Sequence, residues 1–202
     1  MKEDDGSVTF TMVYDLPTAP AASCAVTYRV RPCGRVDVSL DYDPVKELGV
    51  MPEFGMITRL DADYDRVRFF GLGPEENYID RREGARLGIW NYRAAENLTP
   101  YLLPQECGNR TGVRWAEITN AKGHGLKLWL NGGEFSALPY TPHEMENAAH
   151  RYELPPAVYT VLKMSAIQMG VGGDDSWGAR THPEYLPDIS KPLRFEFSFQ
   201  GI

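Results

Sequence analysis

The residues of this chain best suited to chemistry crowd into one stretch, Gln168-Met169-Gly170-Val171-Gly172-Gly173-Asp174-Asp175-Ser176-Trp177-Gly178. Two carboxylates, a hydroxyl and an indole fill consecutive positions behind glycines, which open backbone conformations closed to other residues, positive φ included. A loop of that composition on a strand end can present polar groups and an aromatic face to a ligand. A tight turn in front of a core tryptophan is the competing reading. Acid–base hydrolysis of a sugar needs two facing carboxyl groups, about 5–5.5 Å apart for retention and about 6.5–9.5 Å for inversion. Asp174 and Asp175 are adjacent, as are Glu75 and Glu76. Neighbouring side chains on extended backbone point to opposite faces, so neither pair makes an acid–nucleophile couple. Capping backbone N–H groups is the better use for the two aspartates, one of them orienting Trp177 or its neighbours.

The other reactive residue types form no constellation. His124, His143, His150 and His182 show no HExxH spacing or other close ligand pairing. His182, within Thr-His-Pro-Glu-Tyr, is the one retained as a polar contact near the Trp177 loop. Ser176 lacks the Gly-x-Ser-x-Gly elbow and an evident base, which argues against a serine hydrolase. No Gly-Lys-Ser/Thr ends a glycine-rich loop, so no nucleotide loop is present. The acidic run Asp61-Ala62-Asp63-Tyr64-Asp65 lacks the glycine, the length and the glutamate of a helix-loop-helix calcium site and reads as a solvated turn. Cys24, Cys33 and Cys107 are odd in number and unrelated in context, hence free thiols and no zinc site. Trp90, Trp115 and Trp129 sit in strand-like contexts and are expected in the core. Trp177 follows glycines and polar residues, and an exposed indole offers a wide apolar face to a pyranose.

The elements that must position these residues are strands. Residues 8–14, 25–30, 35–40, 56–60, 66–70, 87–92, 110–119, 126–130, 134–138, 158–169 and 193–199 carry β-branched and aromatic runs bounded by glycine and proline. Hairpins are expected through Pro32-Cys33-Gly34 and through residues 120–125, with Asn131-Gly132-Gly133 breaking a strand. Thr141-Pro142-His143-Glu144 is a capping box opening one short helix that continues through residues 145–150. The expected class is an all-β sandwich, residues 1–202 forming a single domain. With 202 residues, 43% hydrophobic and 24% charged, the composition is that of a globular protein. A net charge of −7 argues against nucleic acid and anionic membrane as partners. No apolar run approaches the roughly 20 residues needed to span a bilayer, and the acidic start lacks the apolar core of a signal peptide.

Four motifs then line up. Gly71-Leu-Gly-Pro-Glu-Glu-Asn-Tyr-Ile-Asp-Arg81, Pro104-Gln-Glu-Cys-Gly-Asn-Arg110, Phe135-Ser-Ala-Leu-Pro-Tyr-Thr-Pro142 and Met169-Gly-Val-Gly-Gly-Asp-Asp-Ser-Trp177 resemble, in this order, the C-terminal small-chain domain of bacterial β-galactosidases of glycoside hydrolase family two. The resemblance covers nearly the whole chain, with Ile79 and Cys107 departing from its pattern. It implies a galactose-mutarotase-like β-supersandwich, the fifth domain of a multidomain bacterial enzyme acting on β-galactosides such as lactose. The catalytic glutamates, and the magnesium and sodium ligands, would lie in other domains, leaving no cofactor and no catalytic residue here. Trp177 would stack on the sugar in the aglycone subsite, the galactoside or glucose moiety of the substrate. Gly172 and Gly173 would give the turn, and Asp174, Asp175, Ser176 and His182 would hold or line it. Further expected partners are the other domains of the parent enzyme, with Asn77, Tyr78 and Arg81 read either as contact residues or, equally, as polar residues that stabilise their own turn, and a second copy in a homo-oligomer; the compartment would be cytoplasm or periplasm. Two rivals stand beside this reading: an autonomous carbohydrate-binding module using the same Trp177 face, and a free-standing sugar epimerase on the same sandwich architecture, relying on His182 and Glu184.

Overall fold

The computed structural model describes residues 2–175 and 177–202, and strands dominate it, as the period-two apolar patterns require. In chain order they are β1 (Val8–Leu16), β2 (Ala22–Val30), β3 (Val36–Tyr42), β4 (Glu53–Asp61), β5 (Arg66–Gly73), β6 (Arg86–Arg93), β7 (Arg110–Thr119), β8 (Gly125–Leu138), β9 (Tyr159–Gln168) and β10 (Leu193–Gly201). One short helix, α1 (Pro142–Glu146), links β8 to β9. The chain is all-β, as expected from its sequence.

All pairings of these strands are antiparallel. The sheet runs β1-β2-β3-β10-β8-β7-β5-β6, and β9 pairs with both β8 and β4. The expected break at Asn131-Gly132-Gly133 is instead a kink within one strand. Asn131 and Gly132 take φ of 53° and 96°, the left-handed region that glycine and asparagine enter most easily. There β8 exchanges one edge partner for another: Ser198 of β10 lies opposite Trp129, whereas Ser165 of β9 lies opposite Glu134. The exchange splits the sheet into two limbs that face each other over a common core. Tyr42 of β3 and Phe54 of β4 meet across it, ring centres 6.3 Å apart. Phe69, Val113, Ile118, Phe135 and Leu162 are fully buried between the limbs. Burial of such side chains, about 1.5–3 kcal/mol each, is the main force holding the layers together.

The pairing of β7 with β8 shifts register on both sides of Val113, and along β7 the inward-facing residues are Val113, Ala116 and Ile118, all buried. Trp115 and its cross-strand partner Trp129 emerge on the opposite face, where Lys127 lies 5.0 Å and Arg35 4.6 Å from their respective rings. These two indoles are therefore not core, contrary to expectation. Trp90 packs partly buried against the core.

Helix α1 begins as its capping box dictates. Thr141 Oγ1 accepts the Glu144 N–H at 3.2 Å, and the Glu144 carboxylate accepts the Thr141 N–H at 2.8 Å. Met145 anchors the helix in a second, smaller cluster with Leu98, Cys107 and Leu138. The helix stops at Glu146, short of the expected residue 150, because Glu153 accepts the Ala149 and His150 N–H groups and starts a separate turn.

Candidate functional site

Strand β9 delivers the glycine-rich loop. Gln168, at its end, donates its N–H to Glu134 at 3.2 Å, and Met169 donates to the Pro52 carbonyl at 2.8 Å. Past this point the chain is held at successive positions. The Gly170 N–H meets the Tyr185 carbonyl at 2.9 Å, its carbonyl accepts the Thr181 hydroxyl at 2.8 Å, and the Gly172 N–H meets Asp80 Oδ2 at 2.7 Å. Beyond the neck, Asp175 Oδ1 accepts the backbone N–H groups of Trp177 at 2.8 Å and Ala179 at 3.2 Å. Asp174 meets His182 Nε2 at 2.9 Å, and Glu184 lies 3.7 Å from Nδ1 of the same ring. The Asp174 carboxylate lifts the His182 imidazole above its ordinary pKa. Trp177 is 92% exposed. An open groove beside the loop is lined by Val50, Gln105, Val171, Arg180 and Leu186.

The glycines serve this loop differently from the expected way. Gly178 takes a positive φ, 113°, whereas Gly170, Gly172 and Gly173 do not. Their role is close approach. A Cβ on Gly170 would lie 2.6 Å from the Asp80 carboxyl carbon, and one on Gly173 would collide with the Ala179 carbonyl. The two aspartates have separate partners, Asp175 shaping the turn and Asp174 holding His182. Ser176, expected to help hold the loop, lies outside the described residues.

Beneath the loop lies a charge network that sequence reasoning missed. Lys163, on β9, contacts Glu106 at 2.9 Å, Glu53 at 3.3 Å and the Gln168 amide oxygen at 3.5 Å. Burial alone would lower the pKa of this lysine, but Glu106 and Glu53 outweigh it and the ammonium is stabilised. Ser165 donates to Glu53, and the Tyr78 hydroxyl donates to Glu106 at 3.2 Å. Glu134 is pushed up to about 7 by burial, even though Asn109 donates to it at 2.5 Å and Gln168 N–H stabilises its anion. The signal in the sequence was Lys163 itself, the single charge within the apolar run 158–169. A charge there requires internal partners.

Asn77 and Tyr78 fall in one setting and Arg81 in another. Asn77 and Tyr78 are each 1% exposed, so their side chains are turned away from any neighbouring domain, correcting that expectation. Asn77 Nδ2 donates to the carbonyls of Leu72 and Glu75, and its Oδ1 accepts from the Thr111 N–H and hydroxyl. Arg81 is half exposed, 2.5 Å from Glu76 and 3.2 Å from the Tyr101 hydroxyl. Asp80, between them, was singled out by no sequence argument, yet it reaches the loop directly.

These features define an all-β unit that displays one aromatic face on a braced loop and spends its buried charges on its own architecture. The family model described as Beta galactosidase small chain matches residues 1–200. The chain is 45% identical over 182 residues to a β-galactosidase of Priestia megaterium, covering 90% of this chain and 18% of that protein. A β-galactosidase of Halalkalibacterium halodurans is 39% identical over 207 residues, covering 100% of this chain and 20% of the relative. A β-galactosidase small subunit of Latilactobacillus sakei is 32% identical over 208 residues, with 97% and 65% covered. Among solved structures, a galactose mutarotase related enzyme from Lactobacillus acidophilus aligns with a TM-score of 0.43 at 11% identity, covering 97% of this chain and 68% of the other. The chain belongs to the β-galactosidase small chain family. It spans about a fifth of the length of the first two relatives.

Proposed function

We propose that this chain is the C-terminal small-chain domain of an enzyme hydrolysing terminal β-D-galactosides, and that it completes the aglycone subsite with Trp177 without supplying a catalytic residue. The observation that carries this reading is the 92% exposure of Trp177 on a loop whose neck is fixed at Gly170 and Gly172. A large indole held out in water while its backbone is tied down is arranged for contact with something outside the chain. The apolar face of a glucose or galactoside ring suits it, with Asp174, Asp175 and His182 at the margin. The catalytic carboxylates, and any magnesium or sodium, would be held by other parts of the parent enzyme, whether joined in one polypeptide or supplied as a separate subunit. Among the described residues, no three His, Cys, Asp or Glu side chains are grouped to hold an ion.

Two measurements test this. The 202-residue chain should not turn over a nitrophenyl galactoside above buffer; turnover would place the chemistry within it. In the intact enzyme, Trp177→Ala should weaken glucose or lactose binding by about 1–3 kcal/mol, the scale of a lost aromatic contact. Unchanged aglycone affinity would remove Trp177 from the subsite.

A further inference from the structure

We propose that Asp80 is a positioning residue for the tryptophan loop, fixing through the Gly172 N–H where the Trp177 indole stands and so setting the preference for a sugar leaving group. This inference rests on the reading of Trp177 as the aglycone platform. Asp80 sits on a tight turn closed by the Arg81 N–H on the Tyr78 carbonyl at 2.8 Å and the Tyr78 N–H on the Arg81 carbonyl at 3.4 Å. The turn is immobilised from below. The Tyr78 ring is buried with its hydroxyl on Glu106, and Asn77 is bonded on all sides. From that base the Asp80 carboxylate meets the loop twice. It accepts the Gly172 N–H at 2.7 Å, a charge-assisted bond, and it fills the space above Gly170 where a Cβ would lie 2.6 Å away.

The remaining braces divide the loop by position. Thr181 and Tyr185 hold Gly170 from the returning half of the loop, and Asp175 caps the turn at the indole itself. Asp80 is the side chain that ties the outgoing half of the loop at Gly172 to a separate, buried part of the fold. Without it, the segment from Gly172 to the indole would pivot on Gly170. The stretch 71–81, conspicuous in the sequence yet distant from the loop along the chain, thereby acquires a use. Its buried asparagine and tyrosine hold up the aspartate that aims the loop.

The test is made in the intact enzyme by comparing kcat/KM for a galactoside with a sugar leaving group against one with a small non-sugar leaving group. Asp80→Ala should lower the ratio on the order of tenfold, as the loss of one charge-assisted bond implies. Trp177→Ala should lower it comparably, and the double variant should be no worse than Trp177→Ala alone. Asp80→Asn, which keeps an oxygen to accept the Gly172 N–H, should restore most of the ratio. An equal fall for both substrates, or no change while Trp177→Ala shifts the ratio, would overturn the role of Asp80 and leave that of Trp177 standing. An unchanged ratio in Trp177→Ala would overturn the platform reading and this inference with it. Should Asp80→Ala not fold, Gly170→Ala, which pushes a methyl against the same carboxylate, replaces it in the comparison. A ratio unchanged in that variant counts against the proposal.

Discussion

Lys163 holds Glu106 at 2.9 Å with only 4% of the lysine side chain exposed, joining the middle of β9 to the segment that precedes β7. Removing Lys163 leaves Glu106 and Glu53 charged without their shared partner. Because both carboxylates keep some access to water, the cost is about 3 kcal/mol, the low end for a broken buried pair. Lys163→Ala should lower the unfolding free energy by that amount, measured by urea denaturation. The loss should shrink when Glu106→Gln is added, because one of the two stranded carboxylates is then gone and only Glu53 is left. A double variant as costly as the sum of the two single ones would show that the pair is not coupled.

Glu134 gives the fold a pH dependence of definite sign. Its ordinary value is 4.5, and burial raises it to about 7 in the folded chain. Between these values the unfolded chain has lost the proton that the folded chain keeps, so raising the pH favours unfolding. Stability should therefore fall by roughly 3 kcal/mol across this window and level off above it. Glu134→Gln should abolish this part of the slope, whatever its effect on absolute stability. Unfolding midpoints of both proteins, followed from about pH 5 to about pH 8, make the comparison. Equal slopes would mean that Glu134 does not hold its proton through that range.

Strand existence was legible because it is written locally, in alternation such as Leu193, Phe195, Phe197 and Phe199, of which Phe195 and Phe197 are buried. Pairing was less so. That β9 would lie between β4 and β8, or β10 between β3 and β8, depends on contacts far apart in sequence that leave no local trace. The register shifts around Val113 change which β7 residues face inward, so Trp115 emerges on the outer face although the alternation on either side of them looks intact. At the loop, residue types suggested display of Trp177, but its braces lie elsewhere in the chain. Asp80 is separated from Gly172 by 92 positions, and nothing in either stretch alone names the other.

Asn77 and Arg81 belong to the same motif and should respond to truncation very differently. Asn77 uses both ends of its amide, with Leu72 and Glu75 carbonyls on one side and two Thr111 donors on the other. Each buried group left without a partner costs about 1–3 kcal/mol, so Asn77→Ala should destabilise the chain by roughly 3 kcal/mol or more. Arg81 is half exposed, and its pairing with Glu76 is worth about 1 kcal/mol or less. Denaturation midpoints that moved equally for the two variants would contradict this division.

The four tryptophans should separate by reactivity, because only one is fully displayed. Trp90 donates its indole N–H to the Gly71 carbonyl at 3.3 Å and packs on the core. Trp115 and Trp129 are half-buried, with Lys127 lying 5.0 and 5.7 Å from their rings. Trp177 makes its hydrogen bond through the backbone, to Asp175, and leaves its ring to solvent. Oxidation of the folded chain by N-bromosuccinimide should therefore consume one indole in a fast phase and the remainder slowly. Trp177→Phe should delete the fast phase while leaving the slow one unchanged. In the intact enzyme, a saturating sugar occupying the aglycone subsite should slow that fast phase, because stacking covers the ring that reacts. A fast phase that survives Trp177→Phe would mean that a different indole is the exposed one, and the displayed platform would lose its physical basis.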